Sequence, residues 1–272
     1  MDLGAYFERI GYAGGRTPTL DTLRAVHLRH AQSIPFENLD PLIGRPVRLD
    51  MPALEQKLVH GRRGGYCFEQ NLLLSHALRA LGFQVVDLAA RVLWNFPEGT
   101  INARSHMLLL VDLGEHAFVA DVGFGGLTLT APLRLEAAVA QETPHEMFRL
   151  TRHGDGFIMQ AQVGGAWKPL YQFDLQEQFQ ADYEVTSWYL SNHPASRFVT
   201  NLIAARPGAD CRHALLNNHL AIHHRGGVTE HRMLTTAEEI GTTLEGVFHL
   251  TLPDGPQLHA ALQRAAASSA VA

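Results

Sequence analysis

The chain has 272 residues, 46% of them hydrophobic and 18% charged, with a formal net charge of -5. That is enough chain to bury a full hydrophobic core in one large domain or two to three small ones. With no run of basic residues, nucleic acid or an anionic membrane is not expected as the main partner; no apolar stretch exceeds strand length, so no segment reads as a bilayer span.

The N-terminus, Met1-Asp2-Leu3-Gly4-Ala5-Tyr6-Phe7, lacks the basic start and apolar core of a signal peptide. It reads instead as an amphipathic helix over 3–11, with Leu3, Tyr6, Phe7 and Ile10 on one face. Only two cysteines, Cys67 and Cys211, are present, too few for a disulfide framework, so a reducing cytoplasm is the expected compartment. Further helices are expected over 20–33, over 51–59 (Asp50 as cap, Pro52 in the first turn) and over 68–81. From Gln84 the periodicity changes to strands over 84–94, 106–111 and 117–122, then 147–152, 157–163 and 167–171, with Gly-containing turns between them. The last third is mixed, with helix over 185–192, strands over 215–223 and 231–234, and helices over 236–244 and 256–267. The Ala- and Ser-rich end from Ala265 reads as a fraying helix terminus. The order predicts an α+β fold: a helical bundle over 1–83, an antiparallel sheet or barrel over 84–190, and an α/β segment over 191–272.

Cys67 lies in Arg62-Arg63-Gly64-Gly65-Tyr66-Cys67-Phe68-Glu69-Gln70-Asn71. The two glycines are expected to let the backbone turn sharply and to leave room beside the sulfur. The thiol would then fall in the first turn of the 68–81 helix, where unpaired N–H groups, the helix dipole and a nearby arginine favour a thiolate. A free cysteine on its own is most often inert packing; its neighbours elsewhere in the chain change that reading.

Residues 106–123 read as a β-hairpin. If its loop is even and centred on Leu113-Gly114, Asp112 faces Glu115 and His106 falls directly opposite Asp121, within hydrogen-bond reach. An odd loop would put the two on opposite faces of the sheet. The hydrophobic pattern does not decide, because Leu108, Leu110, Ala117 and Val119 make one face as apolar as Met107, Leu109, Val111 and Phe118 make the other. The even register is the expectation adopted. On it, Asp121 would fix the His106 tautomer, and Cys67, His106 and Asp121 would form a nucleophile, base and orienter suited to acyl transfer or amide hydrolysis.

Five segments, in order and at matching spacing, carry a resemblance: Tyr6-Phe7-Glu8-Arg9-Ile10-Gly11-Tyr12, Ile34-Pro35-Phe36-Glu37-Asn38-Leu39-Asp40, Arg63-Gly64-Gly65-Tyr66-Cys67-Phe68-Glu69, Ser105-His106-Met107 and Asp121-Val122-Gly123-Phe124-Gly125. Through them the chain resembles the arylamine N-acetyltransferases, bacterial type. The resemblance implies a helical bundle, a β-barrel and an α/β lid around a catalytic core similar to that of thiol proteases and transglutaminases. It implies a ping-pong transfer of acetyl from acetyl-CoA, a co-substrate rather than a resident cofactor, to arylamines, arylhydrazines or N-hydroxyarylamines. Cys67 would be the nucleophile, His106 the base and acid, and Asp121 the orienter. Phe36, Val92, Phe124 and Phe198 would line the substrate pocket, Gly125 and Gly126 would leave space for the pantetheine arm, and Glu37 with Arg63 would brace the cysteine loop. The alternative with the same triad is a related amide synthase or thiol hydrolase acting on another acyl donor.

Sixteen histidines do not amount to a metal site. His219 and His223 fall on a predicted strand with no carboxylate completing a ligand set, and His27 and His30 read as core or surface groups. No metal is expected. Gly123-Phe124-Gly125-Gly126 lacks dinucleotide-loop spacing, and Cys211 reads as an incidental loop residue.

Overall fold

In the computed structural model, which describes residues 1–268, side-chain caps start the first two helices. Asp2 accepts the Ala5 N–H at the head of α1 (Leu3–Ile10), and Thr19 accepts the Thr22 N–H at the head of α2 (Leu20–Ser33), satisfying donors that a helix start leaves free. The chain then runs through β1 (Phe36–Glu37) and α3 (Leu39–Leu42). The helix expected over 51–59 is divided: α4 (Met51–Leu54) widens into a π-helical turn, Glu55–His60, an irregularity often found near functional sites. α5 (Cys67–Ala80) is buried on nearly every side, with Phe68, Leu72, Leu73, Leu74, Ala77 and Leu78 in the core. Its buried polar residues Glu69, Gln70, Asn71 and Ser75 are all hydrogen-bonded, as burial requires, and Tyr6, Phe7, Ile10, Leu23 and Val26 pack about the helix.

The middle of the chain supplies β2 (Gln84–Val92), β3 (His106–Asp112), β4 (Ala117–Ala120), β5 (Leu133–Arg134), β6 (Ala140–Glu142), β7 (Met147–His153), β8 (Gly156–Val163) and β9 (Ala166–Glu177). They form one antiparallel sheet in the order β5-β4-β3-β2-β9-β8-β7-β6. The sheet curls to near closure. Its two edge strands meet through Gln141, whose amide accepts from the Arg134 N–H and donates to the Arg134 carbonyl. The two apolar faces of β3 and β4 have separate tasks. Leu108 and Val119 join Leu88, Phe148, Leu150 and Met159 inside the barrel, whereas Met107, Leu109, Val111, Phe118 and Ala120 pack toward α5.

Beyond α6 (Gln180–Asn192) and α7 (Arg197–Thr200), a second antiparallel sheet forms from β10 (Ile203–Pro207), β11 (Cys211–Leu216), β12 (His219–His224) and β13 (Thr229–Met233). The single strand expected over 215–223 is a hairpin, because Asn217 adopts a left-handed conformation at φ 53 and turns the chain back, a geometry asparagine tolerates. β1 adds the other edge, with Phe36 opposite Ala205, so the first and last thirds of the chain share a sheet. α8 (Ala237–Gly246) and α9 (Pro256–Ala266) cover it, with Leu39, Leu202, Leu220, Leu234, Ile240 and Phe248 in the core between. Residues 269–272 of the expected fraying end lie outside the described residues. Among those described, no helix is long and apolar enough to cross a membrane.

Candidate active site

Cys67 is the first residue of α5 and is 4% exposed. Glu69 accepts the Tyr66 N–H at 3.1 Å, which ties down the residue before it. Gly64 and Gly65 lie in neither a turn nor a bend, and neither has a positive φ. They are there for close approach. A Cβ on Gly64 would fall 2.1 Å from the Pro35 carbonyl oxygen, and one on Gly65 would fall 2.7 Å from the Glu69 carboxylate. Glu37 and Arg63 form the ion pair the resemblance implied, at 2.7 Å, within a larger set. Arg63 also reaches Asp40, and Lys57, from the π-helical turn, lies 2.7 Å from both Asp40 and Glu69. The nearby arginine is therefore engaged by carboxylates and is not the cation beside the thiol.

The observed hairpin register is two residues away from the expected one. Asp112 opposes Ala117 and Leu109 opposes Ala120, so the loop is 113–116. Extended past the last paired residue, this register sets Asp121 diagonally from His106 instead of directly opposite. A slip of two preserves side-chain direction, so both stay on the face of Leu108 and Val119. His106 Nε2 meets Asp121 Oδ2 at 2.7 Å, with both groups buried. The second carboxylate oxygen accepts from Asn71 Nδ2 at 3.0 Å and from the Gly123 N–H at 2.9 Å. Asn71 stands one turn after Cys67. It also donates to the Met107 carbonyl at 2.8 Å and accepts the Val122 N–H at 3.1 Å, joining the cysteine helix to both strands of the hairpin. The Cys67 thiol donates to the Ser105 carbonyl at 3.6 Å.

Burial works against charge on both members of the pair, yet their mutual attraction wins. The His106 imidazole is raised well above its ordinary value by Asp121's charge and hydrogen bond, with Cys67 adding to the effect. Asp121 is held below the usual carboxylate range by His106, Asn71 and the Gly123 N–H. Aromatic rings enclose the imidazole: Tyr171 is tilted over it at 4.9 Å and Phe124 meets it edge-on at 5.2 Å. Burial, then Asp121's charge, keeps the Tyr171 phenol far above its ordinary value.

Cys67 and His106 open into a cavity of about 1260 Å³ lined by all six expected pocket residues: Phe36, Val92, Phe124, Phe198, Gly125 and Gly126. Phe198 packs at 5.4 Å from Tyr66 and 6.0 Å from Phe36. The glycine in closest approach to the cysteine is Gly123, where a Cβ would fall 2.8 Å from the Cys67 Cα.

Several residues at the site went unremarked in the sequence. Asn71 carried a usable signal, four residues after Cys67 and so on the same helix face. Arg212 and Tyr171 carried none, because each reaches the site by a fold contact far along the chain, and Lys57 carried none because it reaches Asp40 and Glu69 from a π-helical turn. Arg212, on β11 and 2% exposed, grips the Glu146 carboxylate and donates to the Gly126 carbonyl at 3.4 Å, fastening the second sheet to the barrel beside the cavity. His27 and His30 are both fully buried. Cys211 begins a strand instead of lying in a loop, and His213 Nε2 lies 3.6 Å from its sulfur; burial raises this thiol, which disfavours the reactive form.

A buried cysteine and histidine opening on an apolar cavity, with an aspartate behind the histidine, is an arrangement of enzymes that transfer acyl groups or cleave amides. The N-acetyltransferase family model matches residues 19–256. The arylamine N-acetyltransferase of Mycolicibacterium smegmatis is 47% identical over 258 residues, covering 93% of this chain and 94% of the relative. The Salmonella typhimurium arylamine N-acetyltransferase / N-hydroxyarylamine O-acetyltransferase is 41% identical, covering 96% and 87%. The structure of Mycobacterium marinum arylamine N-acetyltransferase in complex with CoA superposes with a TM-score of 0.94 at 43% identity, covering 97% of this chain and 99% of that one. The chain belongs to the arylamine N-acetyltransferase family, and it is an acyltransferase.

Proposed function

We propose that this protein transfers acetyl from acetyl-CoA to arylamines, arylhydrazines or N-hydroxyarylamines through an acetyl-cysteine at Cys67. The observation that carries this reading is the buried 2.7 Å contact between His106 and Asp121, with Cys67 lining the same cavity as His106. His106 Nδ1, which Asp121 does not use, takes the thiol proton. The sulfur then attacks the thioester carbonyl, an S–C bond forms and the bond to the CoA sulfur breaks. The proton on His106 leaves with CoA. In the second half, the acceptor nitrogen or hydroxylamine oxygen attacks the acetyl-cysteine, its proton passes to His106, and the Cys67 thiol is restored. The Cys67 N–H, at the first position of α5, is the donor we assign to the oxyanion. Phe36, Phe124 and Phe198 present apolar rings to an aromatic acceptor, and the backbone at Gly125 and Gly126 borders the path of the pantetheine arm.

In this reading the nucleophile comes from the segment 1–83, the base and its orienter from 84–190, and the segment 191–272 closes the cavity as a lid. Two free thiols are consistent with work in the reducing cytoplasm. Steady-state rates at several concentrations of acetyl-CoA and an arylamine test the mechanism. Parallel double-reciprocal lines are expected, with no transfer by Cys67→Ala. Intersecting lines, or transfer by that variant, would reject the acetyl-enzyme.

A further inference from the structure

The two buried histidines of α2 are used differently. His30 has both ring nitrogens bonded, Nδ1 to the Tyr6 hydroxyl and Nε2 to Gln70 Oε1, each at 2.8 Å. His27 accepts the Asp121 N–H at Nε2, at 3.1 Å, while its Nδ1 is buried with no partner among the described residues. An unpartnered buried donor costs about 1–3 kcal/mol, a cost that an apolar side chain in the same place would not carry. What the imidazole offers in return is the Nε2 lone pair. Using it requires a neutral ring with its proton on Nδ1, and burial favours that neutral form by lowering His27 to about 4.

The recipient of that lone pair is the residue whose placement the site depends on. β4 ends at Ala120, its last residue paired with β3, and Asp121 is the next residue along. Asn71 and Gly123 hold the Asp121 carboxylate, and Thr128 donates to its carbonyl at 3.2 Å. The amide is held by α2, through His27.

We propose that His27 is a positioning residue for the transfer: a neutral imidazole protonated on Nδ1, whose Nε2 accepts the Asp121 N–H and sets the angle at which Asp121 leaves β4, so that its carboxylate meets His106 Nε2. The proposal rests on the assignment of His106 and Asp121 as base and orienter.

The direct test is two-bond 1H–15N correlation spectroscopy of the histidine-labelled wild-type protein at neutral pH. His27 is expected as the Nδ1–H tautomer; an Nε2–H or doubly protonated ring would overturn the proposal whatever the variants do. Two substitutions then separate positioning from packing. His27→Gln keeps an acceptor near the Nε2 position, and His27→Leu removes it. In single-turnover acetylation His27→Leu should be about 10- to 100-fold slower with little change in KM for acetyl-CoA. Its downfield His106 Nε2–H resonance should be lost, and His27→Gln should recover most of both. Equal rates for His27→Leu and wild type, or a folded His27→Gln as slow as His27→Leu, would reduce His27 to packing. Should His27→Leu not fold, the wild-type tautomer and the His27→Gln rate still decide. Failure of the underlying triad would look different: wild type itself would form no acetyl-Cys67.

Discussion

Each polar atom of Asp121 is bonded to a different part of the chain: the amide to His27, the carbonyl to Thr128, one carboxylate oxygen to Asn71 and Gly123, and the other to His106. Such complete engagement costs little to preserve and much to disturb, because a buried polar group left unpaired keeps its desolvation penalty. In the proposed mechanism Asp121→Asn leaves the imidazole without a charged partner, and acetyl transfer should fall by about 10³- to 10⁴-fold, read as the single-turnover rate. The same substitution carries a stability signature. His106 is raised above its unfolded value of 6.5, so the pair's contribution is complete below 6.5 and is lost as pH rises through the raised value. Asp121 is lowered beneath 3.8, so its share is complete above 3.8 and is lost as pH falls through the lowered value. The gap in melting temperature between wild type and Asp121→Asn should therefore be widest between those limits and narrow in alkaline buffer. A gap that widens with rising pH would contradict the ion pair. At this scale Cys67, His106 and Asp121 were legible because their residue types and local motifs carry the chemistry. Asn71 was legible in principle from its helical spacing. His27 was not, since nothing local says that a histidine on α2 will meet a main-chain amide at residue 121.

The elements show why some boundaries were readable and others were not. The helix over 20–33 was readable from the sequence because its signals are local. The hairpin register escaped because a strand apolar on both faces has no pattern to lock it, and only packing against α5 on one side and the barrel interior on the other chooses among registers. The π-helical turn is likewise a tertiary choice: from it Lys57 lies between Asp40 and Glu69. Burial opposes Lys57's charge, but those carboxylates and Glu37 raise it well above the ordinary lysine range. Lys57→Met would strand the buried Glu69 and Asp40 together and should cost about 3 kcal/mol or more, measured by urea unfolding at neutral pH. Loss of less than about 0.5 kcal/mol, the range of an ordinary surface change, would show that the network does not brace the cysteine loop.

Across the whole molecule the α+β order was legible from the switch in periodicity at Gln84, whereas the way the chain returns on itself was not. β1 is two residues long and joins the sheet of the last third, and Arg212 and Glu146 are connected only through the fold. Depth of burial has its own consequence for the molecule. Burial lowers His27 to about 4 and His30 to about 3, below the unfolded value of 6.5. The stability that depends on keeping both neutral is complete above 6.5 and declines as the pH falls toward those lower values, by several kcal/mol in all. The urea midpoint should drop steeply from about pH 7 to about pH 4.5, and less steeply in His27→Gln. Equal slopes would mean that His27 does not titrate on unfolding.

The central claim is that Cys67 carries the acetyl group between two substrates, and intact-protein mass spectrometry after brief mixing with acetyl-CoA, without amine, tests it most directly. One acetyl adduct is expected on wild type and none on Cys67→Ala, with the adduct discharged on adding an arylamine or arylhydrazine. No adduct on a folded wild type, or an equal adduct on Cys67→Ala, would contradict the account.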